Sequence, residues 1–347
     1  MRLSSVEVIP YALPFREPYV TARGVLERRE MVLLRLRDED GVVGLGEAVP
    51  LALRGGTGLS KVVRELEAWA NHQSDAALSA PALCAVATAR ADLLGRRAGT
   101  GGAAVDEAVA CNATLVAGEP RAVAAAAEHW AADGFTTFKL KLGVESVKNL
   151  VEQGKRQTRG DVEQVRAVRE ALGPSMRIRV DVNAAWDLET AKKRLGALVS
   201  FEIELAEQPV ATLEEMAELA DATSIPLAGD ESVASLAEAE RAAALGACAY
   251  TGIKLSKVGG PEAALAIADV LPAYITSALD GPVGIAAAAR VAQAVGGPLA
   301  HGLATQRLFA ETIAAVECEL RGRMLHLPPG PGLGVEIDEE ALQAHRL

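Results

Sequence analysis

A chain of 347 residues, half of them hydrophobic, can bury a large core and divide it between one big domain and a smaller one. A net charge of −11 argues against nucleic acid or an anionic membrane as a main partner, and no apolar run approaches the ~20 residues of a membrane-crossing helix. Aromatic residues make up only 3%, so the apolar mass is Ala, Val and Leu, which suits helices packed on parallel strands.

The first segment, "MRLSSVEVIPYALPF", alternates as a strand does and has no signal-peptide h-region. Cys84, Cys111, Cys248 and Cys318 are scattered without a CxxC pair. Together these predict a soluble cytoplasmic protein with reduced, buried thiols. Next, "MVLLRLRDEDGVVGLGEAV" is two strand-like runs joined by Asp38-Glu39-Asp40-Gly41, a hairpin signal. Residues 60–100 carry apolar residues at three- and four-residue spacing and predict two helices, the second ending near Gly99. Residues 1–105 thus form an α+β module.

Over residues 106–322 the rhythm changes. Eight short β-rich runs recur, from "VACNATL", "TFKLKL", "IRVDVN" and "ELAEQP" to "PLAGDE", "YTGIKL", "AYITSAL" and "LAHGLA". Ala- and Glu-rich helical stretches separate them. This alternation implies right-handed βα units, and eight of them predict a closed barrel. An open doubly wound sheet is the alternative, but "CNATLVAGEP" lacks the glycine-rich phosphate loop usual after its first strand. The tail, 323–347, is Pro/Gly-rich and then strand-like, and is expected to return to the N-terminal module.

Active sites of such barrels lie at the C-terminal ends of the strands. The runs end with Lys139 and Lys141, then Asp181 and Asn183, Glu207, Asp230 and Glu231, and Lys254. Each step from Asp181 through Glu207 and Asp230 to Lys254 is one βα unit, so these groups converge on one mouth. Three acids cannot all stay ionised in a dry pocket without a cation. Hard oxygen ligands without nearby Cys or His favour Mg²⁺, with Mn²⁺ as a substitute. In "TFKLKLG" the two lysines share one strand face, roughly 6–7 Å apart at Cα. Mutual repulsion and desolvation should lower a lysine's pKa toward the working pH. A neutral amine could then take a proton from carbon next to a carboxylate while the metal stabilises the enediolate.

At these residues the chain resembles the muconate-lactonizing-enzyme subgroup of the enolase superfamily. The matching motifs are K-x-K at Lys139 and Lys141, "DVN" at Asp181, "EQP" at Glu207, "GDES" at Asp230, "KLSKVGG" from Lys254, and the final "GPGLGVEID". The resemblance implies a modified (β/α)7β TIM-type barrel with an α+β capping domain over its mouth. It implies Mg²⁺ on Asp181, Glu207 and Asp230, and a small-molecule carboxylate substrate between Lys141 and Lys254, with Lys139 supplying charge. A homo-oligomer is compatible with it. "AYITSALDG" has no histidine base of the mandelate-racemase kind, and "HGLATQRLF" lacks the Asp-x-Asp typical of dipeptide epimerases. "ITSALDGPVGIAAAARVAQA", "HGLATQRLFAETI" and "TARGVLERRE" look like o-succinylbenzoate synthases of menaquinone biosynthesis. That likeness implies syn dehydration of 2-succinyl-6-hydroxy-2,4-cyclohexadiene-1-carboxylate. N-succinylamino-acid racemase, muconate-type cycloisomerase and dipeptide epimerase are the isomerase alternatives, and a non-catalytic acid-binding barrel is the third reading.

For substrate binding the candidates are Arg23, a guanidinium fork for a carboxylate, together with Ser277 and the backbone at Gly302 and Leu303. Tyr19, Thr21, Arg28 and Arg29 share the capping loop with Arg23. His301 reads as a packed core histidine, Trp186 as packing for the following helix, and Lys257 as structural or exposed. "GVESVKNLVEQGKRQTRGD", after the lysine strand, is longer than the common family spacing and could cover the mouth.

Overall fold

The computed structural model describes residues 2–21, 24–50, 56–101, 107–143 and 160–347. β1 (Leu3–Thr21), β2 (Gly24–Asp38) and β3 (Val43–Ala48) form an antiparallel sheet in that order. Asp38 shapes the predicted turn, accepting the amides of Asp40 and Val42 on Oδ1 at 3.0 and 2.9 Å. Strand alternation decides what each face of β2 covers. Val32, Leu34 and Leu36 pack with Leu66 and Trp69 of α1 (Leu59–His72) and with Ala85 and Leu93 of α2 (Ala80–Ala98). Met31 and Leu33 face the main core instead. α2 ends where Gly99 takes φ +66°, as the glycine cluster predicts.

After β4 (Ala108–Ala110) come seven parallel strands that pair in chain order. They are β5 (Ala113–Leu115), β6 (Thr137–Lys141), β7 (Arg177–Asp181), β8 (Ile203–Glu207), β9 (Leu227–Gly229), β10 (Tyr250–Ile253) and β11 (Ala273–Ile275). The eighth stave is reduced to two residues. His301 bridges in parallel to Cys111, and Gly302 to Thr276. The amide of Asn112 donates to the His301 carbonyl at 2.9 Å, and that of Gly302 to the Ile275 carbonyl at 2.8 Å, so the sheet closes on itself. The chain is therefore a modified (β/α)7β barrel with an antiparallel N-terminal module, as the strand–helix rhythm predicts.

Beyond the barrel, β12 (Ala314–Val316) pairs with β15 (Glu336–Ile337), and β13 (Glu319–Arg321) and β14 (Met324–His326) join β4. A last helix, Glu339–His345, leads back to the N-terminal sheet. There Arg346 bridges Tyr11 and the Leu347 amide reaches the Pro10 carbonyl at 3.0 Å. All four cysteines are buried and unpaired. No helix among the described residues is long and apolar enough to cross a membrane.

Candidate active site

Strand register assembles the mouth. Lys141 pairs with Asp181 across β6 and β7, and Asp181 pairs with Glu207 across β7 and β8. Asp230 follows the last residue of β9 and Lys254 the last of β10. Phe138 and Leu140, which alternate with the lysines, are fully buried in the main core. The lysines therefore share the opposite face, as the period of two requires.

The Asp181, Glu207 and Asp230 side chains are wholly buried, and each meets an ammonium group. Lys139 Nζ lies 2.8 Å from Asp181 Oδ2 and 2.6 Å from Glu207 Oε2. Lys141 Nζ lies 2.5 Å from Asp181 Oδ2 and 3.0 Å from Asn183 Oδ1. Lys254 pairs with Asp230 Oδ2, and Lys257 approaches Asp230 Oδ1 at 2.7 Å. Burial alone would raise Asp181, but the charges of Lys139 and Lys141 outweigh it and hold the carboxyl far below its usual range. Glu207 is pushed up by burial and by the Asp181 charge.

Repulsion and desolvation are expected to lower a lysine's pKa, and at Lys139 the outcome is the reverse. For Lys139, burial does pull downward, but Asp181 and Glu207 outweigh it and raise the ammonium above its ordinary value. The lysines do not face one another's charge alone, because each is bound to carboxylate.

The donor set suits a hard divalent cation. Three buried carboxylates from consecutive strand ends already share cationic partners, and Asp230 bears electrostatically on both Asp181 and Glu207. Among the described residues, no three His, Cys, Asp or Glu side chains are grouped closely enough to hold a metal ion as they stand, and the Lys139 ammonium lies between Asp181 and Glu207. Lys139 Nζ, between two of the acids, stands where positive charge is wanted.

A second layer holds these groups in place. Gln208 Oε1 accepts the amides of Asp230 and Ser232 at 2.8 and 3.1 Å, tying the end of β8 to that of β9. Gln208 and Asn183 take φ +40° and +49°, a left-handed conformation that costs of order 1 kcal/mol or more and gathers at functional sites. Asn183 also donates to Glu231 Oε1 at 3.0 Å, linking Lys141 to the acid next to Asp230. Two site residues escape sequence reasoning. Of the two readings for Lys257, structural or exposed, the structure favours the first, but sequence reasoning misses the shared partner: Lys257 lies one short turn beyond Lys254 and also pairs with Asp230, which its three-residue spacing could have signalled. Tyr274, on β11, donates its phenol proton to Glu207, and nothing local in "AYITSAL" announces that contact.

Other candidates are placed as follows. Arg23 and the segment 144–159 lie outside the described residues. The Ser277 hydroxyl donates to Asp280 Oδ2 at 2.6 Å and accepts the amides of Leu279 and Asp280. Gly302 spends its N–H on Ile275 and its carbonyl on the Ser277 amide, and Leu303 is fully buried. Arg29 joins the N-terminal sheet to the turn after β11, donating to the carbonyls of Pro50 and Ala278 at 2.7 and 3.1 Å. Arg28 pairs with Glu30, and Tyr19 stacks on Phe15. His301 is a core residue, as read. Its Nδ1 accepts the Ile275 amide at 3.0 Å, and burial with nearby Arg179 lowers its pKa to about 4. Trp186 is buried under the Arg194 guanidinium.

A capped (β/α)7β barrel with acids on three successive strand ends and lysines on either side defines a class of enzymes that work on substrates at the barrel mouth. Comparison with known families names the class. Residues 121–341 match the enolase C-terminal domain-like family, and residues 4–103 match the mandelate racemase / muconate lactonizing enzyme N-terminal domain. The chain belongs to the enolase superfamily and is an enzyme of its muconate-lactonizing subgroup. It is 37% identical over 250 residues to an o-succinylbenzoate synthase of Thermobifida fusca, covering 70% of this chain and 75% of the relative. It is 28% identical over 375 residues to muconate cycloisomerase 1 of Pseudomonas putida, covering 96% of each. Among solved structures, a dipeptide epimerase from Enterococcus faecalis complexed with Mg and L-Leu-L-Tyr superposes with TM-score 0.87 at 26% identity, over 97% of this chain and all of that one. A muconate lactonizing enzyme from Pseudomonas fluorescens complexed with muconolactone gives 0.86 at 27%, over 100% of this chain and 99% of that one.

Proposed function

We propose that this enzyme is a carbon–oxygen lyase of the o-succinylbenzoate synthase kind. It would convert 2-succinyl-6-hydroxy-2,4-cyclohexadiene-1-carboxylate to o-succinylbenzoate by syn loss of water, a step of menaquinone biosynthesis. The observation that carries the reading is the placement of Lys141 and Lys254. They stand on β6 and just after β10, with the acid-bearing ends of β7, β8 and β9 between them. Likeness to the Thermobifida fusca synthase supports the choice of reaction.

In this reading Asp181, Glu207 and Asp230 hold Mg²⁺, or Mn²⁺ in its place. When bound, the ion supplies positive charge against the substrate carboxylate as its α-carbon loses a proton. Lys141, as the neutral amine, takes the α-proton. The electron pair left behind expels the ring hydroxyl from the same face, and the proton on Lys141 leaves with it as water, which balances the reaction. Lys254 remains an ammonium and stabilises the negative charge that builds on the carboxylate during proton removal. Lys139 keeps Asp181 and Glu207 together, and Asn183 steers Lys141. The module 1–105 caps the mouth, 106–322 forms the barrel and 323–347 returns to the cap. Arg23 is assigned to a substrate carboxylate, whereas Ser277 and Gly302, whose polar groups are spent within the protein, and the buried Leu303 shape the wall at the succinyl end rather than donate to it.

Purified enzyme given the cyclohexadiene substrate should lose the dienol absorbance, and EDTA should stop this loss. Lys141→Ala should slow turnover by roughly 10³-fold. An unaffected rate in that variant would defeat the assignment. The second reading is an isomerase, favoured by the cycloisomerase and epimerase relatives. It predicts deuterium wash-in at Cα of N-succinylamino acids, because the same two lysines could exchange a proton on either side of one carbon. The dipeptide branch is weakened by "HGLATQRLF", which offers no acidic pair for an ammonium group.

A further inference from the structure

We propose that Tyr274 is a positioning residue that fixes the Glu207 carboxylate for the divalent cation. This rests on the reading above, in which Glu207 is one of three Mg²⁺ ligands. Tyr274 lies on β11 and Glu207 on β8, with β10 and β9 between them in the sheet. Their contact therefore crosses the barrel interior rather than running along its wall. The phenol donates its proton to Glu207 Oε2. It is the neutral group on a carboxylate whose other partner is the Lys139 ammonium.

The phenol is held from several sides. Tyr274 is wholly buried and packs with Leu205, Ala228 and Leu299. The Arg179 guanidinium stacks 5.0 Å from the ring centroid, and is itself held by Glu204 at 2.5 Å and by the Ala300 carbonyl at 2.7 Å. On β10, Gly252 makes room: a Cβ there would stand 3.1 Å from the phenol oxygen and 3.2 Å from Cζ. A side chain packed this way has one position open to it, so its hydrogen bond sets the rotation of the Glu207 carboxylate.

The two partners of Glu207 differ in kind. An ammonium group neutralises the carboxylate and competes with any incoming metal ion for the same negative charge. A phenol orients the carboxylate but leaves its full charge available. The phenol oxygen is the donor in this bond, and the packing around the ring keeps it aimed at Glu207. Tyr274 is therefore the partner compatible with the loaded site, in the way that hydrogen bonds behind metal ligands commonly are.

The test is a titration of purified full-length wild type and Tyr274→Phe with Mg²⁺ alone, followed by calorimetry without substrate. Removing such an outer partner typically weakens metal binding by roughly 10- to 100-fold, and that loss is expected here. The Mg²⁺ concentration for half-maximal turnover should rise by the same factor, while kcat at saturating Mg²⁺ recovers, a split that loosened packing would not produce. Equal Mg²⁺ affinity in the two proteins overturns the inference and leaves the metal reading intact. A wild type that takes up no Mg²⁺ overturns both. Should Tyr274→Phe fail to fold, Gly252→Ala carries the test. Its methyl crowds the phenol and should weaken Mg²⁺ binding in the same direction, and unchanged affinity would count against the proposal.

Discussion

The barrel mouth and the seam between the N-terminal sheet and the barrel both bury carboxylates, with opposite kinds of partner. At the mouth, Asp181, Glu207 and Asp230 meet the ammonium groups of Lys139, Lys141, Lys254 and Lys257. At the seam, Glu47 on β3 meets neutral donors: the Tyr11 hydroxyl at 2.8 Å, the Gly281 amide at 2.6 Å and the Gly284 amide. Asp280, also buried, accepts the Ser277 hydroxyl and the Ala278 amide, both at 2.6 Å. The outcomes diverge accordingly. Asp181 stays far below the usual carboxylate range, whereas burial and the charge of Asp280 push Glu47 up to about 7. Two ammonium groups keep Asp181 charged, whereas Glu207, with one ammonium and a phenol, is still pushed up by burial and the Asp181 charge, and at Glu47 neutral donors let burial favour the protonated form. Charge is thus held at the mouth, where the proposed chemistry needs it, and reduced at the seam, where the carboxyl only joins two modules.

Removing a cation from the mouth should break this contrast most severely. Lys139→Met leaves Asp181 and Glu207 buried without their shared ammonium, and should destabilise the metal-free protein by about 3–5 kcal/mol. Chemical denaturation in EDTA measures the loss, and added Mg²⁺ should recover part of it. A metal-free variant as stable as the wild type would show that the lysine is not what makes the acids tolerable.

The next effect concerns pH. Glu47 has an ordinary value of 4.5 and a folded value of about 7, so the folded state binds its proton more tightly. Its contribution is complete below pH 4.5 and is lost as pH rises to about 7, on the order of 3 kcal/mol. His301 runs the other way. Its folded value of about 4 lies below the ordinary 6.5, so its contribution is present above pH 6.5 and lost as pH falls to about 4. The size is again on the order of 3 kcal/mol. Over the shared window the two slopes oppose each other. Denaturation midpoints across that window should climb with pH in Glu47→Gln and fall with pH in His301→Asn. Parallel profiles for the two variants would refute the assignment.

The smallest expected effect sharpens the role of the seam. Arg29→Met removes two bonds to carbonyls, one of them on the Ser277–Asp280 turn that borders the mouth. It should cost about 1–2 kcal/mol of stability. Steady-state kinetics should show KM rising with kcat nearly unchanged. A selective fall in kcat would mean that the turn takes part in the chemistry rather than in holding substrate.

Much of this arrangement is legible in the chain. The β-rich runs mark every stave, including the eighth, although "LAHGLA" shrinks to a two-residue bridge at His301 and Gly302. The regular steps between Asp181, Glu207, Asp230 and Lys254 foretell their convergence, because a βα unit advances the chain by one stave each time. Tyr274 was not legible. Its partner lies three strands away across the barrel, and no local period encodes a contact through the interior. The joint burial of Glu47, Tyr11 and Asp280 was hidden for a similar reason, since it arises only where the N-terminal sheet meets the turn after β11.

What the sequence determined alone was periodic: which residues face inward along a strand, where each strand stops, and which chemical groups therefore share the mouth. These follow from backbone geometry, which repeats every two residues in a strand and every unit around a barrel. What only the tertiary structure decided was the balance of charge. Lys139 holds its proton more tightly because two carboxylates stand within 2.8 Å of its nitrogen, while Glu47 does so because burial and the nearby Asp280 charge outweigh the neutral donors that meet it. Coulomb energy and desolvation depend on distances between groups far apart in the chain, and those distances exist only once the barrel has closed.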